Sequence, residues 1–485
     1  MAGVDCRADP RSAFKAYDVR GSVPGVLTWE LACALGTACV EAFAVRRAVV
    51  GRDVRLSGPM LLDGLCLGLT AGGAFVTDIG MCGTEEIYHA AAFGDFDVGI
   101  MITGSHNPAQ DNGFKVVRRG AVPVSGDSGL GAMGIRVAEL LEIAGAPGSD
   151  AMKLPVRPPE DVAGLAATPR VASGSFRDAY LDRLLDLAGL PANPTRRLKV
   201  VGDAGNGCAG LVLERLAPRL PFEIASRQLE PDGRFPNGVP NPLLPDRRQG
   251  TADAVRKAGA DMGVAWDGDF DRCFLYDARG GFIEGYYCVG MLAGEVLRSH
   301  PGGKVVHDTR VYWNTREIVL AAGGIPVMGK TGHAFMKERM RAENAVYGGE
   351  MSAHHYFREF AYCDSGMLPW LMAAGIMLRT GATLGELVEE RMRAYPCSGE
   401  INRRVANAAA LMESVGRRHQ DGATHVDMLD GINIEHGEWR FNLRMSNTEP
   451  VLRLNVESRG DRGLMEERTG ALLRQIDEEG VPVES

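Results

Sequence analysis

Asp97-Val98-Gly99-Ile100-Met101-Ile102-Thr103-Gly104-Ser105-His106-Asn107-Pro108 is an apolar run of strand length that ends in a Gly-Ser turn closed by proline. It reads as a buried strand that delivers a serine at its carboxyl end. The same pattern recurs along the chain. Short apolar runs at 47–51, 96–103, 198–203, 263–267 and 345–349 end in Gly-rich or polar loops, and amphipathic stretches follow them. Alternating strand and helix signals predict an α/β architecture. In open α/β sheets ligands bind beyond the carboxyl ends of the strands, so the loops after these runs are the places to look for function.

The 485 residues exceed what one hydrophobic core supports and predict three or four domains. Breaks rich in Pro and Gly at 144–174 and 278–285, and a third at 393–400, divide the chain into 1–172, 173–281, 282–394 and 395–485. Helical patterns run over 176–188 and 384–393. The last segment is shorter and mixes helix with strand-like runs at 402–405, 439–443 and 451–456, an α+β pattern. No tandem repeat of solenoid period is visible. A net charge of −9 excludes nucleic acid and anionic membrane as partners of the whole molecule. An anionic ligand must meet a local cluster of Arg and Lys. No apolar run has membrane-spanning length, and the polar first residues lack a signal-peptide core, so a cytoplasmic protein is expected. Ten scattered Cys without a C-x-x-C pair suit reduced thiols, not zinc.

Four loops carry chemistry. In Thr103–Pro108 the serine is held out on a sharp turn whose amides can gather an anion. A hydrolase triad is a poor fit, because Ser105 and His106 are adjacent and no Gly-x-Ser-x-Gly elbow surrounds them. Asp267-Gly268-Asp269-Phe270-Asp271-Arg272 spaces three carboxylates by two, so that they converge on one hard cation; Mg²⁺ suits them best. An EF-hand fails, because its sixth position is Arg272 and its twelfth Ala278. Gly348-Gly349-Glu350-Met351-Ser352-Ala353-His354 offers a carboxylate and a hydroxyl to sugar hydroxyls, although a capped turn would use the same residues. Arg444-Met445-Ser446-Asn447-Thr448-Glu449-Pro450, with Arg453 behind it, is a dense set of donors for phosphate oxygens. Two look-alikes compete with these loops. Residues 324–331 match G-x-x-x-x-G-K-T, but Ile325-Pro326-Val327-Met328 reads as a strand and a helical pattern precedes it. Residues 205–210 match G-x-G-x-x-G after a strand and keep an NAD-dependent dehydrogenase open as the minor rival.

Taken in order, the four loops resemble those of the α-D-phosphohexomutases. The likeness begins at Phe14-Lys15-Ala16-Tyr17-Asp18-Val19-Arg20-Gly21 and continues through Gly51-Arg52-Asp53-Val54-Arg55 to the Arg444 loop. It implies three related α/β domains and a smaller fourth around a central cleft. It implies that Ser105 is phosphorylated and that Asp267, Asp269 and Asp271 bind Mg²⁺ together with Ser105. Glu350 and Ser352 match the sugar-binding loop; Arg444, Ser446, Asn447 and Thr448 match the phosphate loop. Arg272, Arg310, Lys330, Thr331, His333 and Arg453 match other substrate contacts, and Tyr17, Arg20 and Lys115 lie near the transferred phosphate. Lys115 or His354 is implied as general acid and base. The implied activity is interconversion of mannose 6-phosphate and mannose 1-phosphate, feeding GDP-mannose and polysaccharide synthesis, through a hexose 1,6-bisphosphate that also serves as activator. Met351, where glucosamine-phosphate mutases usually carry Gln, and Thr84-Glu85-Glu86-Ile87-Tyr88 favour mannose phosphate; glucose phosphate, or both sugars, is the alternative. The expected protein is a monomer or homodimer. Gly104 stands where Ala is commoner in the family, Ala353 where Gly is commoner, Met445 where Pro is common, and Arg310 where part of the family has Lys.

Overall fold

The computed structural model describes residues 9–145, 170–445 and 451–480. Its strands form four sheets. In the first, Arg47–Arg52 lies between parallel neighbours Phe75–Met81 and Val98–Ile102, and Asp111–Arg118 runs antiparallel beside the last of these. The second repeats the plan: Lys199–Asp203 lies between Glu223–Arg227 and Met262–Trp266, with Cys273–Asp277 antiparallel. The third repeats it again with Lys304–Asp308, Ile325–Gly329, Tyr347–Gly349 and antiparallel His355–Phe357. A common strand order thus recurs three times. The repeat is one of topology, which a search for repeated sequence does not detect. The fourth sheet orders its strands Ile401–Arg404, Val451–Ser458, Trp439–Met445, Ile432–Glu435 and His425–Asp427, all antiparallel.

The apolar runs form strands because helices cover them. Val98–Ile102 and Met262–Trp266 are buried along their whole length, which is why they read as continuous apolar stretches without alternation. The observed strand ends differ from the expected ones by one or two residues, as element ends do. The break at 144–174 lies mostly outside the described residues. One hydrophobic cluster runs from Val49 and Met101 through Val200 and Trp266 to Val305 and Tyr347, so the first three sheets share a continuous core. The fourth has its own core around Phe441, Leu454 and Ile476. It joins the third through polar contacts instead: Arg440 donates to Thr309 O at 3.0 Å, and Trp313 to Glu435 at 3.0 Å. Among the described residues no single helix is long and apolar enough to cross a membrane. The bent pair Leu368–Thr380 and Leu384–Ala394 has the composition, but positions 368–378 of the first helix are buried in the protein.

Candidate functional site

In each of the first three sheets the chemistry-bearing loop joins the third parallel strand to its antiparallel neighbour. In the first sheet this is the serine loop. Ser105 has φ +48, left-handed for a residue with a Cβ, and is buried. Thr103 Oγ1 donates to Asp53 Oδ2 at 2.7 Å and accepts from the Ser105 amide at 2.7 Å. The Gly104 amide reaches Asp53 at 3.2 Å, and the Asn107 amide reaches Gly104 O at 2.9 Å. The expected nest of free amides is therefore corrected. The amides of Gly104, Ser105 and Asn107 already have partners inside the protein, and positive charge comes from side chains. Arg20 donates to Thr103 O at 2.6 Å. Lys115, on the neighbouring strand, puts its Nζ 2.9 Å from Asp269 and 2.5 Å from Asp271.

Adjacency does not keep Ser105 and His106 apart, as the sequence suggested: Ser105 Oγ lies 3.1 Å from His106 Nδ1. The same nitrogen faces the Arg272 guanidinium, so it is an acceptor already in use, and the arrangement still lacks the oriented base of a triad. The shorter contact of Ser105 Oγ is its donation to Asp267 Oδ2 at 2.9 Å. A serine and an acidic loop 162 residues apart therefore meet directly. Glycine at 268 permits this, because a Cβ there would lie 2.6 Å from Ser105 O.

The three aspartates fit a cation. Each offers one oxygen, and these atoms lie within 4.8 Å of one another. Asp269 Oδ1 and Asp271 Oδ1 are buried without a hydrogen-bond partner. Burial pushes the Asp267 carboxyl up to about 6, against the pull of Arg272 and with the push of Asp271 and Asp269. Such a crowd of carboxylates with unpaired buried oxygens suits a hard divalent ion. Burial works against the charge on Lys115, but Asp269 and Asp271 outweigh it and hold the ammonium charged.

His354 links this centre to the third loop. Its Nε2 stands 3.6 Å from Asp271 Oδ1 and its Nδ1 3.1 Å from Glu350 Oε2. Burial lowers its pKa, but Asp271 and Glu350 outweigh burial and raise it to about 9. Glu350 also accepts from the Gly332 amide at 2.7 Å and from Tyr356 at 2.5 Å. Ser352 Oγ is 3.3 Å from His354 Nδ1. Ala353 has φ +69, a left-handed conformation that favours glycine. Arg310 is buried and fully engaged: it pairs with Asp308, with Glu400 at 2.5 Å, and lies 3.9 Å from Glu350. Glu400 in turn accepts from Arg453 at 3.2 Å and Arg444 at 3.5 Å. A continuous polar chain thus runs from Ser105 through Asp267, Arg272, Asp271, His354, Glu350, Arg310 and Glu400 to Arg444, touching all four loops. Tyr17 packs edge-on against His333 at 4.7 Å, and His333 Nε2 is 3.3 Å from Asp18. Lys330 is exposed, and the Thr331 amide donates to Asp430 at 3.1 Å. Ser446, Asn447 and Thr448 lie outside the described residues.

The chain matches the phosphoglucomutase/phosphomannomutase descriptions of alpha/beta/alpha domains I at 11–129, II at 178–281 and III at 284–395, and of the C-terminal domain at 400–472. It belongs to the phosphoglucomutase/phosphomannomutase family. Similar members include "Phosphohexose mutases" of Xanthomonas campestris pv. campestris, 52% identical over 94% of this chain and 97% of that protein. A "Phosphomannomutase" of Salmonella montevideo is 50% identical over 96% and 99%. The solved structure of a phosphoglucomutase/phosphomannomutase family protein from Burkholderia thailandensis superposes with a TM-score of 0.81 at 30% identity, covering 96% and 97%. The chain is accordingly a phosphohexomutase-family enzyme.

Within this family fold the two look-alike motifs have structural explanations. Ile325–Gly329 is a sheet strand preceded by the helix Trp313–Ala321, the reverse of a P-loop's order. Gly210 lets Leu229 O approach to where a Cβ would stand 1.9 Å away, and Gly207 does the same for Gly268 O at 2.8 Å, so close packing accounts for both glycines. Sequence reasoning missed Thr84 as a site residue. Its hydroxyl donates to Asp269 Oδ2 at 2.6 Å and its amide to Asp269 O at 3.1 Å. It missed Asp53, Asp308 and Glu400 as well. The usable signal for the first two was an Asp at the end of each sheet's first parallel strand.

Proposed function

We propose that this enzyme is a phosphomannomutase that interconverts mannose 6-phosphate and mannose 1-phosphate through a phosphorylated Ser105. The observation that carries the reading is the 2.9 Å contact between Ser105 Oγ and Asp267, in a pocket that also gathers Asp269, Asp271, Lys115 and Arg20. Relatives named phosphomannomutase at about half identity support the sugar. In the first half-reaction the bond from phosphoserine Oγ to phosphorus breaks as a bond forms from phosphorus to the free hydroxyl of the hexose monophosphate. The serine oxygen keeps the electron pair, and the sugar hydroxyl gives up its proton. The 1,6-bisphosphate then presents its other phosphate, which returns to Ser105 by the reverse displacement. No net phosphate is consumed, and added hexose 1,6-bisphosphate recharges Ser105 as an activator.

Such transfer needs positioning and charge neutralisation more than covalent help. Asp267, Asp269 and Asp271, with an oxygen on Ser105, would hold Mg²⁺, which when bound neutralises charge on the transferring group. Arg20 and Lys115 supply fixed positive charge to the same place. Lys115 and His354 are both held protonated at neutral pH; His354, at about 9, gives up its proton the more readily of the two, and once neutral it can take up the proton of the sugar hydroxyl. Glu350 and Ser352 receive the sugar hydroxyls. Arg272, Lys330, Thr331 and His333 face the substrate, Arg310 acts from behind them through Glu350 and Glu400, and Arg444, Arg453 and residues 446–448 take the phosphate that is not being transferred. The same reading divides the chain at residues 172, 281 and 394 and places the enzyme in the cytoplasm, supplying GDP-mannose synthesis.

A coupled assay with mannose 1-phosphate and glucose 1-phosphate, with and without a hexose bisphosphate, tests the reading. Turnover of mannose 1-phosphate at least as fast as glucose 1-phosphate, stimulated by bisphosphate, is expected. Turnover of glucose phosphate alone would replace the sugar, and absence of both would remove the activity.

A further inference from the structure

Resting on the reading of Ser105 as the phosphoryl carrier, we propose that Asp53 and Arg55 form a clamp that sets the position of Ser105. Asp53 follows the first parallel strand of its sheet, and Arg55 is two residues on. The Asp53 carboxylate takes the loop's donors: Thr103 Oγ1 at 2.7 Å and the Gly104 amide at 3.2 Å. The Arg55 guanidinium takes its acceptors: the carbonyls of Ser105 at 2.9 Å, Asn107 at 2.6 Å, Pro108 at 2.5 Å and Asp111 at 2.6 Å. One Asp-x-Arg turn therefore satisfies both sides of the loop, and the Arg55 side chain is wholly buried. Phe235, from the second domain, lies 5.5 Å from the guanidinium carbon and backs it.

The loop needs such support because Ser105 sits at φ +48, a conformation that persists only where surroundings over-determine it. The same turn recurs in each α/β domain. Asp203 Oδ1 accepts from the Gly205 amide at 3.1 Å, Asp308 Oδ1 from the Arg310 amide at 2.8 Å, and Asp53 Oδ1 from the Arg55 amide at 2.9 Å. In the third domain Asp308 Oδ2 also takes the Met351 amide of the sugar loop at 3.0 Å. In the first domain the arginine of the turn faces the loop carbonyls; in the third it faces Glu400. Among the described residues Arg55 hydrogen-bonds neither Ser105 Oγ nor the aspartates' loop, so it acts through the backbone as a positioning residue. A lysine keeps the charge but has one donor group where arginine has a planar fork of five N–H bonds.

The test uses full-length enzyme loaded with phosphate on Ser105 and assayed with mannose 1-phosphate. Arg55→Lys is expected to lower kcat about ten- to a hundredfold, the range for a misplaced reacting group. KM is expected to stay within about threefold, the unfolding midpoint to hold, and the ³¹P resonance of the phosphoserine to shift. Thr103→Val, which keeps side-chain shape and removes the hydroxyl between Asp53 and Ser105, is expected to act the same way about tenfold. A folded Arg55→Lys enzyme with wild-type kcat and an unmoved resonance overturns the clamp, and so does a loss confined to KM. Should Arg55→Lys not fold, a wild-type kcat in Thr103→Val overturns it alone. Ser105→Ala is run beside them. Activity surviving there removes the Ser105 reading itself, whereas its loss beside an indifferent Arg55 removes only the clamp.

Discussion

Replacing Glu400 by Gln removes the carboxylate on which Arg310, Arg444 and Arg453 converge, from the third domain and the fourth. Glu400 and Arg444 side chains are 4% exposed and Arg310 is wholly buried, so solvent does little to screen them. Burial raises the Glu400 carboxyl, but Arg310, Arg453 and Arg444 outweigh burial and lower it from 4.5 to about 2. That drop corresponds to ~3 kcal/mol of stability at neutral pH, similar to the cost of orphaning one side of a buried ion pair. The group's pKa is depressed on folding. Its stabilisation is therefore present above about pH 4.5 and is lost as pH falls toward 2. Because the chain has several domains, global unfolding is not two-state, and hydrogen exchange of the amides in Ile401–Arg404 and Val451–Ser458 is the better assay. Glu400→Gln is expected to reduce the opening free energy there by ~3 kcal/mol at pH 7, with the gap to wild type narrowing by pH 3. A gap below ~1 kcal/mol at pH 7, or one that widens on acidification, refutes the reasoning.

Two further substitutions probe the junctions between domains. Thr84→Val removes the hydroxyl that orients Asp269, and Mg²⁺ affinity measured by calorimetry is expected to fall about tenfold or more; an unchanged isotherm contradicts that role. Gly268→Ala puts a Cβ 2.6 Å from Ser105 O, and kcat is expected to fall about a hundredfold with folding retained, measured by the coupled assay beside circular dichroism. Wild-type turnover in that variant means the two loops need not touch.

The parts legible in the sequence are those with local causes. Val98–Ile102 and Met262–Trp266 are apolar throughout because helices cover both faces, so they announce themselves as strands, and the loops after them hold Ser105 and the aspartates. What stayed hidden depends on partners far along the chain. Thr84 meets Asp269 185 residues away, Arg310 meets Glu400 90 residues away, and neither contact has a sequence spacing to read. The amide nest expected around Ser105 failed for a related reason. Asp53, 51 residues before Gly104, takes up donors that looked free in the isolated loop. The dinucleotide look-alike stays a minor rival in the sequence for a physical reason: Gly207 and Gly210 answer to backbone packing against Gly268 and Leu229, which no local pattern distinguishes from phosphate binding.

The most direct measurement incubates the enzyme with hexose 1,6-bisphosphate labelled with ³²P and Mg²⁺, then maps the label by peptide sequencing. One phosphoryl group per chain on Ser105, chased off by unlabelled mannose 6-phosphate and absent from Ser105→Ala, is expected. Label on another residue, or turnover persisting in Ser105→Ala, contradicts the assignment of this serine and its aspartates as the centre of phosphoryl exchange.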